Sequence, residues 1–200
     1  QMLRSFGLMG TSSPGVRRNT SNLSLRKAQS LVLSKPSRNQ WIDIDIKEGL
    51  LRVSTSHENE QGDVTMAIMS PMECGKFRYP KSCQLSIEAL ADTNLSICFD
   101  AEHEHLDDDF LSDWLLALHF VRNPAKAEDR LLALLRLLSE RFGKRTSEGF
   151  QLEFLLPHAR IAEIIGATRS TVSRTLSAMR KDQQIAIDEL RETVVIFLSD

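Results

Sequence analysis

The spacing of the apolar residues changes near Leu106, and this change constrains the fold more than any other feature of the chain. Between Asn22 and Phe99 apolar residues recur at every second position, in short runs separated by Pro, Gly and Asn. Such runs indicate the antiparallel strands of a sandwich or barrel. From Phe110 onward the apolar residues recur every three or four positions, as in amphipathic helices. The sequence therefore predicts an α+β fold whose β-rich part precedes its helices.

Composition and cysteine usage limit the class of protein. The chain has 200 residues, of which 42% are hydrophobic and 26% are charged, as in ordinary globular proteins rather than disordered chains or fibres. The sequence shows no apolar run long enough to span a membrane and no secretory signal. Its three cysteines, Cys74, Cys83 and Cys98, form no CxxC motif and fit a reducing compartment. We therefore expect a cytoplasmic protein without membrane contact.

Charge is distributed unevenly along the chain. The formal net charge is -2, but residues 1–40 carry seven basic and no acidic residues, whereas residues 41–113 carry 5 basic and 16 acidic ones. The acidic middle would repel a phosphate backbone, so any contact with nucleic acid has to come from elsewhere. Residues 1–21 are predicted to form a flexible tail. This basic tail is either a solvated segment or a DNA-binding arm.

A first helix is predicted over residues 107–123. Asp107, Asp108 and Asp109 favour its N-terminus, and Asn123-Pro124 ends it. The apolar stripe of this helix is wide enough to cover the β-rich part and also to meet a second chain. We predict a dimer interface formed by Phe110, Leu111, Trp114, Leu115, Ala117, Leu118 and Val121. A second helix is predicted from about residue 125 to Phe142, where Gly143 ends it.

Two short helices separated by a glycine are predicted between residues 157 and 181. Pro157 suits the start of the first helix, Gly166 ends it, and Thr168 suits the N-cap of the second. This arrangement is a helix-turn-helix. Alternating apolar runs at 185–187 and 193–197 flank a turn and predict a β-hairpin, which would be the wing of a winged helix-turn-helix.

The second of these short helices has a basic exposed face. Between Thr168 and Lys181 the sequence has four basic residues and no acidic one. A helix N-terminus in the major groove presents its first side chains to base edges, where arginine donates two hydrogen bonds to guanine. Short hydroxyls and backbone N–H groups suit phosphate oxygens. The predicted DNA contacts are Thr168, Arg169, Ser170, Thr171, Ser173, Arg174 and, at the start of the first short helix, His158.

Taken together, residues 22–198 resemble the CRP/FNR (cyclic-AMP receptor protein type) transcription regulators. The most specific segment is Ile161-Ala-Glu-Ile-Ile-Gly-Ala-Thr-Arg-Ser-Thr-Val-Ser-Arg-Thr-Leu, which is most similar to nitrogen-control-type members. The segments 42–53 and 64–72 are similar to strands of the family's effector domain. The resemblance implies an N-terminal antiparallel β-roll (a cyclic-nucleotide-binding-like jelly roll) at 22–106, a dimerisation helix at 107–123 and a winged helix-turn-helix at 124–200.

The function implied by the resemblance is transcription activation by a homodimer that binds a near-palindromic site in double-stranded DNA and contacts RNA polymerase. Arg169 and Arg174 match the family's two recognition-helix arginines, and Thr168 and Thr171 match positions that touch phosphate. Ser170 departs from the glutamate of many members, so the family's usual half-site is not assumed. The alternative is a ligand-sensing or protein-docking module whose winged helix binds a protein, but such a helix would more often expose apolar residues.

The effector pocket departs furthest from the family. Glu73 and Gly75 stand out of register with its Gly-Glu-Leu segment, and Lys81-Ser82 replaces the Arg-Ser pair that holds cyclic AMP. Lysine lacks the planar fork of arginine, so cyclic AMP is not expected. Another small metabolite, such as a carboxylate, and a pocket that binds nothing both remain open. Three scattered cysteines do not match the family's four-cysteine iron–sulfur sensors, so no cofactor is predicted.

Other constellations point to neither a metal site nor an enzyme. Glu102 to His105, followed by three aspartates, are interpreted as an acidic helix entrance rather than a metal site. The sequence contains no GxSxG, Walker, HExxH or GxGxxG motif. We therefore expect no catalytic activity.

Overall fold

The computed structural model describes residues 19–38, 40–56, 62–73, 75–102 and 109–197. The sequence-based predictions for residues 1–18, for Cys74 and for His103 to Asp108 lie outside these ranges. Eight strands occupy the N-terminal part of the described chain: β1 (Asn19–Leu25), β2 (Ser30–Val32), β3 (Trp41–Glu48), β4 (Leu51–Ser56), β5 (Asp63–Met69), β6 (Gly75–Arg78), β7 (Gln84–Ala89) and β8 (Thr93–Phe99).

These strands form two antiparallel four-stranded sheets. The first sheet has the order β1-β8-β3-β6 and the second has the order β2-β7-β4-β5. The alternating apolar residues of both sheets, such as Ile42 and Ile44 in one and Val53 and Ile87 in the other, are fully buried and belong to one core. The predicted β-roll is therefore confirmed as an antiparallel two-sheet structure.

Strand β6 is the strand that the apolar pattern did not predict. It is four residues long, and among its side chains only Phe77 is a large apolar one, so it has too little alternation to be recognised. It pairs with β3 at the edge of the first sheet. A Cβ atom on Gly75 would lie 2.2 Å from the carbonyl oxygen of Ile44, so this close pairing requires glycine.

The first helix, α1 (Phe110–Arg122), starts at Asp109, whose carboxylate accepts hydrogen bonds from the backbone N–H groups of Leu111 and Ser112. Five of the seven residues predicted for its dimer interface are buried within the single chain, where they face the core; they are Phe110, Leu111, Trp114, Leu118 and Val121. Of the predicted interface residues, Leu115 is exposed and Ala117 is half-buried, and α1 also exposes Leu116 and Phe120, which the prediction did not include.

The C-terminal part combines three helices with a third sheet. Its elements are α2 (Ala127–Phe142), β9 (Lys144–Arg145), β10 (Gly149–Leu152), α3 (His158–Ile165), α4 (Arg169–Lys181), β11 (Ile185–Asp188) and β12 (Thr193–Phe197). The predicted hairpin is confirmed as β11 and β12. The sheet order β11-β12-β10-β9 adds two strands that were not predicted. No helix within the described ranges has both the length and the apolar character needed to cross a membrane.

Candidate nucleic-acid interface

The turn between α3 and α4 has the geometry of a helix-turn-helix. Gly166 adopts a left-handed conformation with φ of 64°, which ends α3. The backbone N–H of Ala167 then donates to the carbonyl oxygen of Ala162 over 2.9 Å. Apart from its two chain neighbours, no residue in the described part of the chain has an atom within 4 Å of the position that a Cβ on Gly166 would take, so backbone conformation rather than space requires the glycine.

Hydroxyl groups gather at the N-terminus of α4. The side chain of Thr168 caps the helix by accepting a hydrogen bond from the backbone N–H of Thr171 over 3.1 Å. Its Oγ1 also lies 2.9 Å from the hydroxyl oxygens of both Ser170 and Thr171. The N-terminus of a helix carries partial positive charge and unpaired N–H groups, which favour phosphate. The structure thus brings Thr168, Ser170 and Thr171, three of the predicted DNA contacts, together at a helix end that favours an anion.

The two faces of α4 differ sharply in character. Val172, Leu176 and Met179 are buried in the core of the C-terminal part. On the exposed side lie the predicted DNA contacts Arg169, Ser170, Ser173 and Arg174. Arg174 Nε points toward the carbonyl oxygen of Ser170 at 3.4 Å, which lays the guanidinium beside the first turn. Within the described ranges, no carboxylate forms an ion pair with Arg169 or Arg174, so both can meet a ligand.

The remaining predicted contact, His158, belongs to α3 rather than to α4. It is half-buried at the first position of α3, and within the described ranges no hydrogen bond joins it to α4. The structure also adds a contact that the sequence did not indicate. Arg180 near the end of α4 lies 3.8 Å from Glu189 in the turn between β11 and β12, so the wing and the recognition helix approach each other.

The four predicted effector residues make contacts in different parts of the molecule. Glu73 lies 3.0 Å from Arg141 on α2, and burial raises the pKa of Glu73 although the hydrogen bond and charge of Arg141 oppose the shift. Gly75 is packed within β6. Ser82 is exposed, and the backbone carbonyl of Lys81 accepts a hydrogen bond from Lys35. Within the described ranges no hydrogen bond or ion pair joins these four residues to one another, and their role in a ligand pocket stays a prediction.

Comparison with known proteins links the C-terminal part to DNA-binding regulators. Residues 129–198 match the family described as Crp-like helix-turn-helix domain. Over 65 residues the chain is 42% identical to the global nitrogen regulator of Synechococcus elongatus. That match covers 32% of this chain and only 29% of the nitrogen regulator, so it relates a part of each protein and not the whole proteins.

A second relative matches this chain over a longer stretch. This chain is 30% identical to the regulatory protein CysR of Synechococcus elongatus over 152 residues, which cover 70% of this chain and 69% of CysR. The chain belongs to the CRP/FNR family. A solved structure of a CooA mutant from Carboxydothermus hydrogenoformans shares the fold with a TM-score of 0.62 at 20% identity, over 88% of this chain and 83% of that one. The structural likeness therefore covers both the β-sandwich and the C-terminal winged helix of this chain.

Proposed function

We propose that this protein is a sequence-specific DNA-binding transcription regulator of the CRP/FNR type that reads DNA through α4. One observation carries the proposal: Arg169 and Arg174 project from the exposed start of α4 without a carboxylate partner in the described ranges, beside the hydroxyls of Thr168, Ser170 and Thr171. A protein-docking helix would more often present apolar side chains here.

The two kinds of side chain have separate roles in this proposal. Arg169 and Arg174 donate paired hydrogen bonds to guanine O6 and N7 in the major groove. The hydroxyls and the free backbone N–H groups at the start of α4 bind phosphate oxygens and fix the register of the helix on the duplex. Ser170 offers a hydroxyl where a carboxylate would accept from cytosine, which makes base selection at that position less strict.

We also propose that the protein acts as a homodimer through the exposed face of α1. On this helix Leu115 is 44% exposed, Leu116 is 57% exposed and Phe120 is 64% exposed. Leu116 and Phe120 are four residues apart and therefore share one face of the helix. A second copy of α1 would cover this stripe about a two-fold axis, and the two α4 helices would then enter successive major grooves about 34 Å apart on a near-palindromic site.

We extend the proposal to activation of transcription in the cytoplasm. The family resemblance supports contact between the DNA-bound dimer and RNA polymerase. Transcription in vitro from a template that carries the selected site tests this part. We expect more transcript when the protein is added, and less transcript would show a repressor instead.

A gel-shift titration on genomic DNA fragments tests the proposed DNA binding. We expect discrete complexes that survive excess nonspecific competitor and weaken steeply as salt rises, because counterions return to the phosphates. The double variant R169A/R174A should lose these complexes. Absence of binding by the unmodified protein, or equal binding by the variant, would contradict the proposal and favour a protein partner.

A further inference from the structure

Helix α3 is held on the second sheet by six charged residues, which we call the docking cluster: Arg52, Asp63, Glu88, Arg122, Arg160 and Glu163. They come from strands β4, β5 and β7 and from helices α1 and α3. Three guanidinium groups face three carboxylates, so the formal charges of the cluster balance. Arg52, Asp63 and Glu88 belong to the sandwich, whereas Arg160 and Glu163 belong to the helix-turn-helix. The cluster therefore joins two parts of the molecule.

Arg52 is the centre of the docking cluster. Its side chain is only 1% exposed, and its Nη1 lies 2.5 Å from Asp63 Oδ2 and 3.1 Å from Glu88 Oε2. Its Nη2 reaches Glu163 of α3 at 3.4 Å. A buried guanidinium is strongly disfavoured unless carboxylates surround it. Movement of α3 away from the sheet would remove one of these carboxylates, so Arg52 favours the docked position.

Glu163 fastens α3 to the edge of the second sheet. Its Oε1 accepts a hydrogen bond from the backbone N–H of Thr65 over 2.9 Å, and its Oε2 accepts one from the Thr65 hydroxyl. Thr65 belongs to β5, one of the two edge strands of this sheet, where backbone groups lack a partner strand on one side. These bonds are directional, so they specify both the place and the rotation of α3.

Arg160 adds a second attachment on the same face of α3, three residues from Glu163. Its two terminal nitrogens lie 3.1 Å from Asp63 and 2.8 Å from Glu88. Burial alone would raise the pKa of Asp63, but the hydrogen bond and charge of Arg52 and the charge of Arg160 outweigh it and hold the pKa at about 2. Asp63 thus stays ionised at neutral pH and keeps both arginines paired.

The position of α3 determines the position of α4, because Ile161, Ile165, Val172 and Leu176 of the two helices belong to one buried core. We propose that Arg52 and Glu163 are positioning residues: by fixing α3 on the sandwich, the docking cluster fixes the distance between the two recognition helices of a dimer and restricts binding to one half-site spacing. This inference rests on the proposed function. It goes further by assigning spacing selectivity to residues that touch no DNA.

The test compares Glu163→Ala and Arg160→Gln with the unmodified protein. Glu153→Ala is the matched control, since Glu153 pairs with Lys144 inside the C-terminal part at 2.7 Å and forms no hydrogen bond or ion pair with the described part of the sandwich. Each protein is titrated with duplexes whose two half-sites stand at the preferred spacing or two base pairs further apart. Circular dichroism checks that every variant is folded. Exchange of the Thr65 amide hydrogen in Arg160→Gln reports docking through a bond that this substitution leaves chemically intact.

We expect the unmodified protein and the control to prefer one spacing strongly. In both cluster variants this preference falls about tenfold, while affinity for a single half-site is unchanged. Exchange of the Thr65 amide in Arg160→Gln becomes about tenfold faster, because α3 undocks more often. Unchanged spacing preference in both variants, or unchanged exchange in Arg160→Gln, would overturn the inference. Failure of the unmodified protein to bind any duplex would instead overturn the proposed function, and the exchange rate would then decide alone whether the cluster fixes α3.

Discussion

Arg122, the last residue of α1, donates a hydrogen bond from its Nε to the carbonyl oxygen of Ile164 over 2.6 Å. A second nitrogen of the same guanidinium lies 3.1 Å from the carbonyl oxygen of Glu163. The last carbonyls of a helix have no partner within it, and here the end of α1 supplies one for α3. The helix proposed to form the dimer is thereby joined directly to the first helix of the DNA-binding motif.

Phe120→Glu should convert the protein to a monomer. The side chain is 64% exposed in the single chain, so the substitution should leave the fold intact, but a dimer would have to bury the new carboxylate. Sedimentation velocity measures the oligomeric state. Leu190→Glu, at a wing residue that is 98% exposed, makes the same kind of change away from α1 and should leave a dimer intact. A dimeric Phe120→Glu protein would show that α1 does not form the interface.

Arg174→Ala should weaken specific DNA binding by about 1–3 kcal/mol and relax the preference at one base pair. Titrations on matched and singly mismatched duplexes measure both effects, and Arg169→Ala should behave similarly at another base pair. Arg136→Ala removes an exposed arginine of α2 and serves as the control. Equal losses on every duplex would assign Arg174 to phosphate contact instead of base recognition.

Gly166→Ala should lower the free energy of unfolding by about 1 kcal/mol, because an alanine with φ of 64° is strained although no neighbouring atom obstructs its Cβ. Gly166→Asn should cost less, since asparagine tolerates this conformation better. Urea unfolding of the two variants measures the difference. Equal destabilisation by alanine and asparagine would contradict the explanation by left-handed backbone strain.

Asp63→Asn should destabilise the protein at neutral pH by about 1 kcal/mol, a value reduced for solvent screening because 36% of the side chain is exposed. The folded-state pKa of about 2 lies below the ordinary value of 3.8. The stabilisation is therefore complete above pH 3.8 and is lost as the pH falls through about 2. Unfolding free energies measured over this range should converge for the two proteins.

The control for this pH dependence is Asp45→Asn. Asp45 pairs with Lys47 on the exposed face of β3, where solvent screens the charges. This variant should match the unmodified protein at every pH. An equal loss of stability in both variants would show that the docking cluster stabilises ionised Asp63 no more than an exposed ion pair stabilises Asp45.

Local sequence signals predicted the elements that depend on local interactions. Gly166 ends α3 by its left-handed backbone, and Thr168 caps α4 with its side chain. Both roles depend on nearby residues only, so the sequence predicted them, and the structure confirms them. The alternation of Ile42, Ile44 and Ile46 likewise predicted a strand with one buried face. Strands β9 and β10 escaped prediction because they are short and because β10 pairs with β12, which lies far away in the sequence.

The side of α1 that faces the core could not be predicted from spacing alone. Its apolar residues nearly encircle the helix, so periodicity gave no reason to assign Trp114 to the core and Phe120 to the surface. The burial of Arg52 could not be predicted either, because a charged residue on a strand is normally exposed. Its partners Glu88 and Glu163 lie 36 and 111 residues away in the sequence. Only the tertiary structure brings these charges together.

Selection of bound duplexes from a random DNA pool tests the central claim most directly. We expect the unmodified protein to enrich a near-palindromic site with guanines in both half-sites, whose centres lie about one helical turn apart, and R169A/R174A to enrich no such site. An unmodified protein that enriches no sequence, or a double variant that enriches the same site, would contradict the assignment of α4 as the element that reads DNA.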